Sequence, residues 1–194
     1  MPRPYLALGA SMIDLRALSL VDLEGEERER AVPLLIEGFV GIYRWHAKRT
    51  LRRIGRVRGA LREGQLVGVS MLERLAPEVG YVYYLAVGTS HRRLGIGGLL
   101  LDDALALFLR EGARIAYGAA EEDNTSSLDL FRSRGFREVE RRELGYQEGG
   151  LGAWGLRSKM MLVSGEVLMG RRLGGNGETT VVRQSPVAAS PSKE

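Results

Sequence analysis

The sequence has no cysteine and very little histidine. Its 194 residues contain no Cys, and its two histidines are His46 and His91. The missing cysteine excludes a disulfide framework, a thiolate nucleophile and a zinc site built on Cys, and it fits a reducing cytoplasm. Because histidine is also scarce, we expect no metal site.

Long apolar segments and lysines are scarce as well. No apolar run approaches the roughly 20 residues of a membrane span, so no membrane association is expected. The basic residues are nearly all arginine, because the lysines are limited to Lys48, Lys159 and Lys193. The formal net charge of +4 favours anionic partners, either an anionic cofactor or a nucleic acid, without choosing between them.

The composition is that of an ordinary globular protein, with 44% hydrophobic and 27% charged residues. The length suits one domain with a substantial core. We predict a disordered leader at residues 1–11, a single domain at 12–172 and a disordered tail at 173–194. The tail is rich in Gly, Ser and Pro and cannot bury apolar surface.

The central stretch combines a strand, a glycine-rich turn and a helix. The strand is predicted over Tyr81–Val87, and the helix over Gly97–Arg110, ended by Gly112. Small residues before a helix let the backbone approach an anion, and the first N–H groups of the helix attract it. A dinucleotide fingerprint would need glycine where Leu100 stands, and a nucleotide P-loop would need lysine where Leu99 stands.

The turn itself reads Arg92-Arg93-Leu94-Gly95-Ile96-Gly97, an R-x-x-G-x-G pattern. This pattern resembles the acetyl-CoA-binding motif of the GNAT superfamily of N-acetyltransferases. A short second helix in that family begins with Asn, has a small residue three positions later and closes with Gly-Phe; here these are Asn124, Ser127 and Gly135-Phe136. The resemblance covers roughly Tyr81 to Val139.

The resemblance implies a fold and a co-substrate. The implied fold class is α/β (α+β), a single domain with a central mixed, mostly antiparallel sheet flanked by helices. The implied co-substrate is acetyl-CoA: a backbone amide before the turn would polarise the thioester, and the turn would hold the pyrophosphate. The residues it assigns to acetyl-CoA are Leu85, Ala86, Val87, Arg92, Arg93, Leu94, Gly95, Ile96, Gly97, Gly98, Asn124 and Phe131.

Two departures from the family pattern affect catalysis. Phe131 stands where the family usually has a tyrosine that protonates the departing thiolate, and Tyr84 or Tyr117 is a candidate substitute. Tyr81 and Tyr83 stand where many members carry the glutamate that deprotonates the amine. The nearest carboxylates in sequence are Glu73 and Glu78, so the candidate catalytic residues are Glu73, Glu78 and Tyr84. Both glutamates are equally consistent with exposed charges at strand ends.

The remaining elements follow from hydrophobic periodicity and turn residues, among them Arg62-Glu63-Gly64, a hairpin turn signal. Pro33 predicts a helix start or kink within the first helix. A loop at 146–155 either covers the acceptor site or is a mobile surface loop. The predicted elements are a strand at Ile13–Leu18, helices at Ala31–Ile36 and Val40–Ile54, a hairpin of Val57–Leu61 and Gln65–Leu72, a strand at Arg114–Ala120, and a closing hairpin of Phe136–Arg142 and Leu156–Val163.

The second predicted helix carries a run of basic residues with no acid among them. They are Arg44, His46, Lys48, Arg49, Arg52 and Arg53, with Arg56 and Arg58 just beyond. They form either a patch for an acidic substrate or RNA, or a solvated helix face, and we favour the solvated face because no aromatic interleaving follows the cluster. Tyr43 and Trp45 either line a pocket or pack, and packing is favoured.

These features together predict an acetyl-CoA-dependent N-acetyltransferase in the cytoplasm. The acceptor would be a primary amine of a small molecule or of a protein, and nucleic acid is not expected as a partner. A homodimer is left open. The alternatives are an acyl-CoA-binding regulatory module that has lost turnover, suggested by Phe131, and an RNA- or ribosome-associated protein that uses the basic run.

Overall fold

The structure is a computed structural model that describes residues 14–39, 41–140 and 158–174. Across these residues, seven strands form one sheet in the order β1-β2-β3-β4-β5-β7-β6. The strands are β1 Leu18–Asp22, β2 Arg56–Arg62, β3 Gln65–Ala76, β4 Val79–Val87, β5 Ile115–Glu121, β6 Arg137–Glu138 and β7 Glu166–Arg172. The helices are α1 Val32–Gly38, α2 Gly41–Leu51, α3 Ile96–Arg110 and α4 Thr125–Ser133.

The sheet is mixed and mostly antiparallel. Every neighbouring pair of strands is antiparallel except β4 and β5, which run parallel and are joined through α3. A parallel pair needs a crossover connection of this kind. The predicted fold class, a central mixed sheet flanked by helices, is confirmed.

Helices cover both faces of the sheet. Side chains alternate between the faces along each strand, and apolar side chains on both faces need to be buried. On one face, α1 and α2 pack over Val57, Val69 and Met71. On the other face, α3 and α4 pack over residues that include Leu72 and Val82. Successive residues of a strand, such as Met71 and Leu72 of β3, are therefore buried in two separate core layers on opposite faces of the sheet.

The hairpin and helix predictions agree with the structure in most places. Pro33 lies in the first turn of α1, where its missing N–H has no helical partner to lose. Glu63 and Gly64 both have positive φ, +51° and +80°, as a two-residue turn between β2 and β3 requires.

The predicted first strand, Ile13–Leu18, is wrong in position. Residues Leu15–Ala17 form a single 3-10 turn, in which the Ala17 N–H donates to the Asp14 carbonyl, and the strand starts at Leu18. Leu18 and Leu20 pack against the core, so the strand is fixed by burial of these two side chains.

The predicted second strand of the closing hairpin, Leu156–Val163, is also wrong. Ser158–Met160 is helical, and the strand that pairs with both β5 and β6 is Glu166–Arg172. The side chain of Met160 is buried against Tyr81, which accounts for its apolar character without a strand. The predicted loop at 146–155 lies outside the described residues.

The predicted leader at 1–11 and almost all of the predicted tail lie outside the described residues as well. Leu173, the first residue of the predicted tail, still donates its N–H to the Arg114 carbonyl and packs against the core. The ordered packing therefore extends at least one residue beyond the predicted domain boundary.

Candidate active site

The parallel strands β4 and β5 separate halfway along their length. They are paired from Val79/Ile115 to Val82/Gly118. Beyond that point β4 continues beside β3 as far as Val87, while β5 continues beside β7 as far as Glu121. The two strands thus enclose a gap, here defined as the space between residues 83–87 and 119–121, whose backbone polar groups are not used by β4–β5 pairing.

A β-bulge lies where the gap begins. Tyr84 pairs with Met71 and Val82 pairs with Leu72, so Tyr83 is an extra residue on β4. Bulges bend a strand and often lie beside active sites, where they redirect side chains. Here the bulge coincides with the point at which β4 leaves β5.

The glycine turn lies directly after the gap, between β4 and α3. Arg93 and Gly95 have positive φ, +64° and +84°, and Gly95 is the N-cap of α3. The amides of Ile96, Gly97 and Gly98 belong to the first turn of α3, where N–H groups have no partner within the helix. The turn therefore offers backbone donors at the positive end of a 15-residue helix.

The surroundings of Gly97 leave room at the start of α3. A methyl group there would meet only side-chain atoms, those of Leu130, Leu85 and Val87, at 3.4 Å or more. A methyl group at Gly98 would instead lie 2.0 Å from the guanidinium of Arg134. Gly98 therefore admits this guanidinium, which also pairs with Asp102 at 3.2 Å and places a cation beside the turn.

The far wall of the gap is formed by α4. Asn124 is its N-cap, and the Asn124 Oδ1 accepts a hydrogen bond from the Ser127 N–H at 3.1 Å. Phe131 is buried and packs edge-to-face on Phe136. A methyl group at Gly118 would lie 2.5 Å from Cζ of Phe131, so the ring rests on the backbone where β4 and β5 part.

On the opposite face of the sheet, an acidic cluster lies at the ends of β5 and β7. Glu121 and Glu166 are paired directly across these strands, and the hydroxyl of Tyr43 on α2 faces both carboxylates. Burial, followed by the negative charges of Glu166 and Glu121, raises the pKa of Tyr43 to about 12. Tyr43 is therefore a neutral hydrogen-bond donor near pH 7.

Tyr84 joins this cluster from β4. Its hydroxyl lies 2.7 Å from His46 Nδ1, and its ring packs edge-to-face on Phe39. Burial, followed by the charge of Glu166, raises the pKa of Tyr84 above its ordinary value. Tyr84 thus links α2 to β4 on the face opposite Phe131.

Tyr81 and Tyr83 anchor the chain that precedes β7. The Tyr81 hydroxyl donates to the Met160 carbonyl at 3.3 Å, and the Tyr83 hydroxyl donates to the Lys159 carbonyl. Burial, and then the charge of Glu73, raises the pKa of Tyr83 to about 12. These two tyrosines therefore serve packing and positioning in this structure.

The two glutamates singled out in the sequence lie in different places. The Glu73 carboxylate accepts from the Gly55 N–H at 2.8 Å and from the Arg74 N–H at 3.2 Å, on the side of β3 near Tyr83. Glu78 is exposed at the start of β4 and pairs with Arg114 at 3.2 Å. The structure therefore does not bring Glu78 to the gap, which lies at the other end of β4.

The part of the chain that carries the gap, the glycine turn and α4 matches a protein-family model. Residues 16–136, more than half of the chain, match the model described as Acetyltransferase (GNAT) family. The chain belongs to the GNAT family of acetyltransferases. The family predicted from the sequence is thereby confirmed.

Solved structures of GNAT acetyltransferases share the fold. The ribosomal-protein-S18-alanine N-acetyltransferase from Escherichia coli aligns with a TM-score of 0.61 at 17% identity, over 84% of this chain and 99% of that one. A GNAT family acetyltransferase from Staphylococcus aureus aligns with a TM-score of 0.63 at 17% identity, over 81% of this chain and 100% of that one.

A further structure, a GNAT family acetyltransferase from Elizabethkingia anophelis with acetyl-CoA bound, aligns with a TM-score of 0.61 at 17% identity. The alignment covers 81% of this chain and 99% of that one. At such identities the likeness establishes the fold. No curated protein sequence matches the chain significantly.

Within the described residues there is neither a membrane-spanning helix nor a cluster of metal ligands. Within 14–39, 41–140 and 158–174, no helix combines the length and apolar character needed to cross a bilayer. Over the same ranges, His, Asp and Glu side chains do not gather in groups of three or more that could hold a metal ion.

Sequence reasoning missed Glu121, Glu166 and Arg134. Glu121 lies four positions after Tyr117 on β5, so both side chains are on the same face of the sheet. The predicted strand therefore already contained the information needed to place Glu121 on this face. Glu166 could not be found, because β7 was predicted at the wrong residues. Arg134 is remote from the turn in sequence, and its contact with Gly98 depends on how α4 packs against α3.

Proposed function

We propose that this GNAT protein is an acetyl-CoA-dependent N-acetyltransferase that acts on a primary amine of a small molecule or of a protein. The observation that carries the proposal is the gap between β4 and β5 opening directly onto the glycine turn. Acetyl-CoA, when bound, supplies an activated acetyl thioester. The chain must then bind the thioester, polarise its carbonyl and take a proton from the amine.

The residues around the gap fit the proposed co-substrate. The first-turn amides of α3 and the nearby Arg134 suit the pyrophosphate. Leu85, Val87 and Leu130 give the space beside Gly97 an apolar wall suited to the pantetheine arm. The backbone N–H groups of β4 beyond Val82 can donate to the thioester oxygen, where negative charge develops during transfer.

We assign removal of the amine proton to the acidic cluster. An ammonium group is attracted to Glu121 and Glu166, whose charges repel each other across the β5–β7 pair. Either carboxylate can accept the proton once the amine is held near the gap. Tyr43 donates toward the carboxylates and holds them in place.

The leaving thiolate has no tyrosine beside it at position 131. A free thiol has a pKa of about 8.5, so the thiolate is an adequate leaving group near neutral pH. The missing acid costs at most the general acid–base range of about 10²–10⁴-fold in rate. Phe131 is therefore compatible with turnover.

Calorimetric titration with acetyl-CoA tests the proposal, with Gly97→Glu as the decisive variant. We expect micromolar binding by the unaltered protein and about 100-fold or greater loss in Gly97→Glu, because a carboxylate there repels the pyrophosphate and occupies its space. A negative charge in the first turn stabilises a helix by about 0.3–1 kcal/mol, so the variant should stay folded.

Two further variants at this position separate charge from size. Gly97→Ala meets no atom closer than 3.4 Å and should retain most of the affinity. Gly97→Gln should bind more weakly than Gly97→Ala and more tightly than Gly97→Glu. Failure of the unaltered protein to bind acetyl-CoA would refute the proposal; binding without acetylation of any amine in a broad panel would indicate the binding module instead.

A further inference from the structure

The outer face of α2 and the turn that follows it form a basic surface. The cationic side chains of Arg44, Lys48, Arg49, Arg52 and Arg53 are all exposed, while Ala47 and Leu51 of the same helix are buried. Residues 41–53 contain no Asp or Glu. Within α2, from Arg44 to Arg49, the surface extends about 8 Å along the helix axis, and Arg52 and Arg53 continue it in the turn that follows. We call these five residues and Trp45 the basic face.

Trp45 lies within the basic face and is 61% exposed. The guanidinium carbon of Arg49 lies 5.6 Å from the centre of its ring. Tryptophan is usually well buried, so a largely exposed ring amid cations needs an explanation. The sequence alone favoured a solvated helix face because no aromatic interleaving follows the cluster. The exposed Trp45 lies inside the cluster and supplies the aromatic surface.

Intramolecular pairing uses only part of the positive charge. Arg52 pairs with Glu29 at 3.2 Å, and Arg44 donates to the Phe39 carbonyl at 3.0 Å. Lys48 and Arg53 form no hydrogen bond or ion pair with the part of the chain that the structure describes. Several cations therefore remain available on one side of an exposed aromatic ring.

We propose that the basic face binds single-stranded RNA. Cations along the helix attract consecutive phosphates, and an exposed tryptophan and a guanidinium plane offer surfaces on which unpaired bases stack. An acidic protein would pair with the cations of the basic face, but it has no nucleobase to stack on Trp45. RNA is favoured over DNA because unpaired bases are exposed in its loops and single strands, whereas DNA is mainly duplex.

This surface is distinct from the site proposed for acetyl transfer. Tyr43 and His46, which belong to that site, lie on the inner face of α2, and the basic face points away from it into solvent. RNA binding is therefore expected with or without acetyl-CoA, and the two proposals can fail independently.

Fluorescence anisotropy of the full chain with a labelled single-stranded oligoribonucleotide tests the proposal. With three or four phosphate contacts, the slope of log K against log salt should be about −2 to −3. Trp45→Ala should weaken binding about tenfold with little change in slope, because it removes stacking and no charge. The double variant Lys48→Gln/Arg53→Gln should make the slope about 1.4 less steep.

The matched control is Arg110→Gln/Arg137→Gln, which removes two exposed arginines away from α2 and should leave binding unchanged. Thermal unfolding of each variant checks that the fold is intact. Equal binding of single-stranded RNA and an oligoglutamate peptide would overturn the proposal in favour of an acidic protein. No binding, equal binding of duplex RNA, or full affinity in folded Trp45→Ala would also overturn it.

Discussion

Phe131 and Gly118 fit each other at the point where β4 and β5 part. The Phe131 ring occupies the space in which any larger residue at position 118 would place its Cβ, 2.5 Å from Cζ. Since Gly118 has no side chain, the ring can lie against the strand backbone and close the core beneath the gap. The aromatic ring at position 131 is therefore explained by packing, and the hydroxyl usual in the family is not needed for that role.

At the same scale, the proposed proton acceptors can be tested by removing their charge. In Glu166→Gln and in Glu121→Gln we expect kcat/KM for the amine to fall, by about 10²–10⁴-fold for whichever residue takes the proton. Acetyl-CoA affinity should change far less than kcat/KM, because the cluster lies on the face opposite α4 and is assigned to the amine. Steady-state kinetics and calorimetry on the same preparations measure the two quantities.

Glu78→Gln is the control for these two variants. Glu78 is exposed and pairs with Arg114 at the far end of β4, so its removal should leave kcat/KM unchanged. A large loss in Glu78→Gln, with full activity in both cluster variants, would contradict the assignment. Glu73→Gln tests the remaining candidate, although loss of the Gly55 hydrogen bond there would also affect stability.

At the scale of the element, α4 depends on its first residue. Asn124 accepts from the Ser127 N–H and so satisfies one of the N–H groups that a helix leaves unpaired at its start. The same residue is the one that the family resemblance assigns to acetyl-CoA. The contribution of Asn124 to helix stability and its contribution to acetyl-CoA binding therefore have to be measured with substitutions that affect only one of them.

Asn124→Ala should lower the free energy of unfolding by about 1 kcal/mol, because it removes the cap. Asn124→Asp retains an acceptor oxygen and should keep near-normal stability. Denaturant unfolding and acetyl-CoA titration on both variants distinguish the roles: weaker binding in a fully stable Asn124→Asp supports the contact with acetyl-CoA. Unchanged stability in Asn124→Ala would contradict the capping role.

At the scale of the whole molecule, several tyrosines are partly or fully buried around one sheet face. Burial is the main cause that raises the pKa of Tyr43 and Tyr83 to about 12, and it also raises the pKa of Tyr81 and Tyr84. In the unfolded chain each would titrate near 10. Between about pH 10 and 12 the folded state therefore holds protons that the unfolded state has lost.

Below about pH 10 these tyrosines are neutral in both states, so their ionisation should not change the free energy of unfolding. Above about pH 10 the free energy of unfolding should fall as pH rises, because the unfolded chain loses these protons first. Urea unfolding at intervals from pH 8 to 11 measures this as a decreasing midpoint. Tyr83→Phe should have a lower urea midpoint at pH 8, because it loses the hydrogen bond to the Lys159 carbonyl. Its midpoint should then decrease less between pH 8 and 11, because one titrating group has been removed. A constant midpoint up to pH 11 would contradict the expectation.

Much of the fold could be predicted from local signals. Pro33 marked a helix start, Glu63-Gly64 marked a hairpin, and Gly95 marked the turn into α3. Each reflects a backbone preference that acts within a few residues. The failures, at β1 and β7, fall where an apolar run had to be assigned to a strand or to another buried segment, which periodicity alone does not decide.

The sequence by itself determined the family motif, the glycine turn and the order of elements from β2 to α4, because these depend on neighbouring residues. Only the tertiary structure decided which carboxylates meet. Glu121 and Glu166 are 45 positions apart in the sequence, yet strand pairing places them opposite each other. Likewise, whether Trp45 is buried or exposed follows from the face that α2 turns to the sheet, since long-range packing sets that orientation.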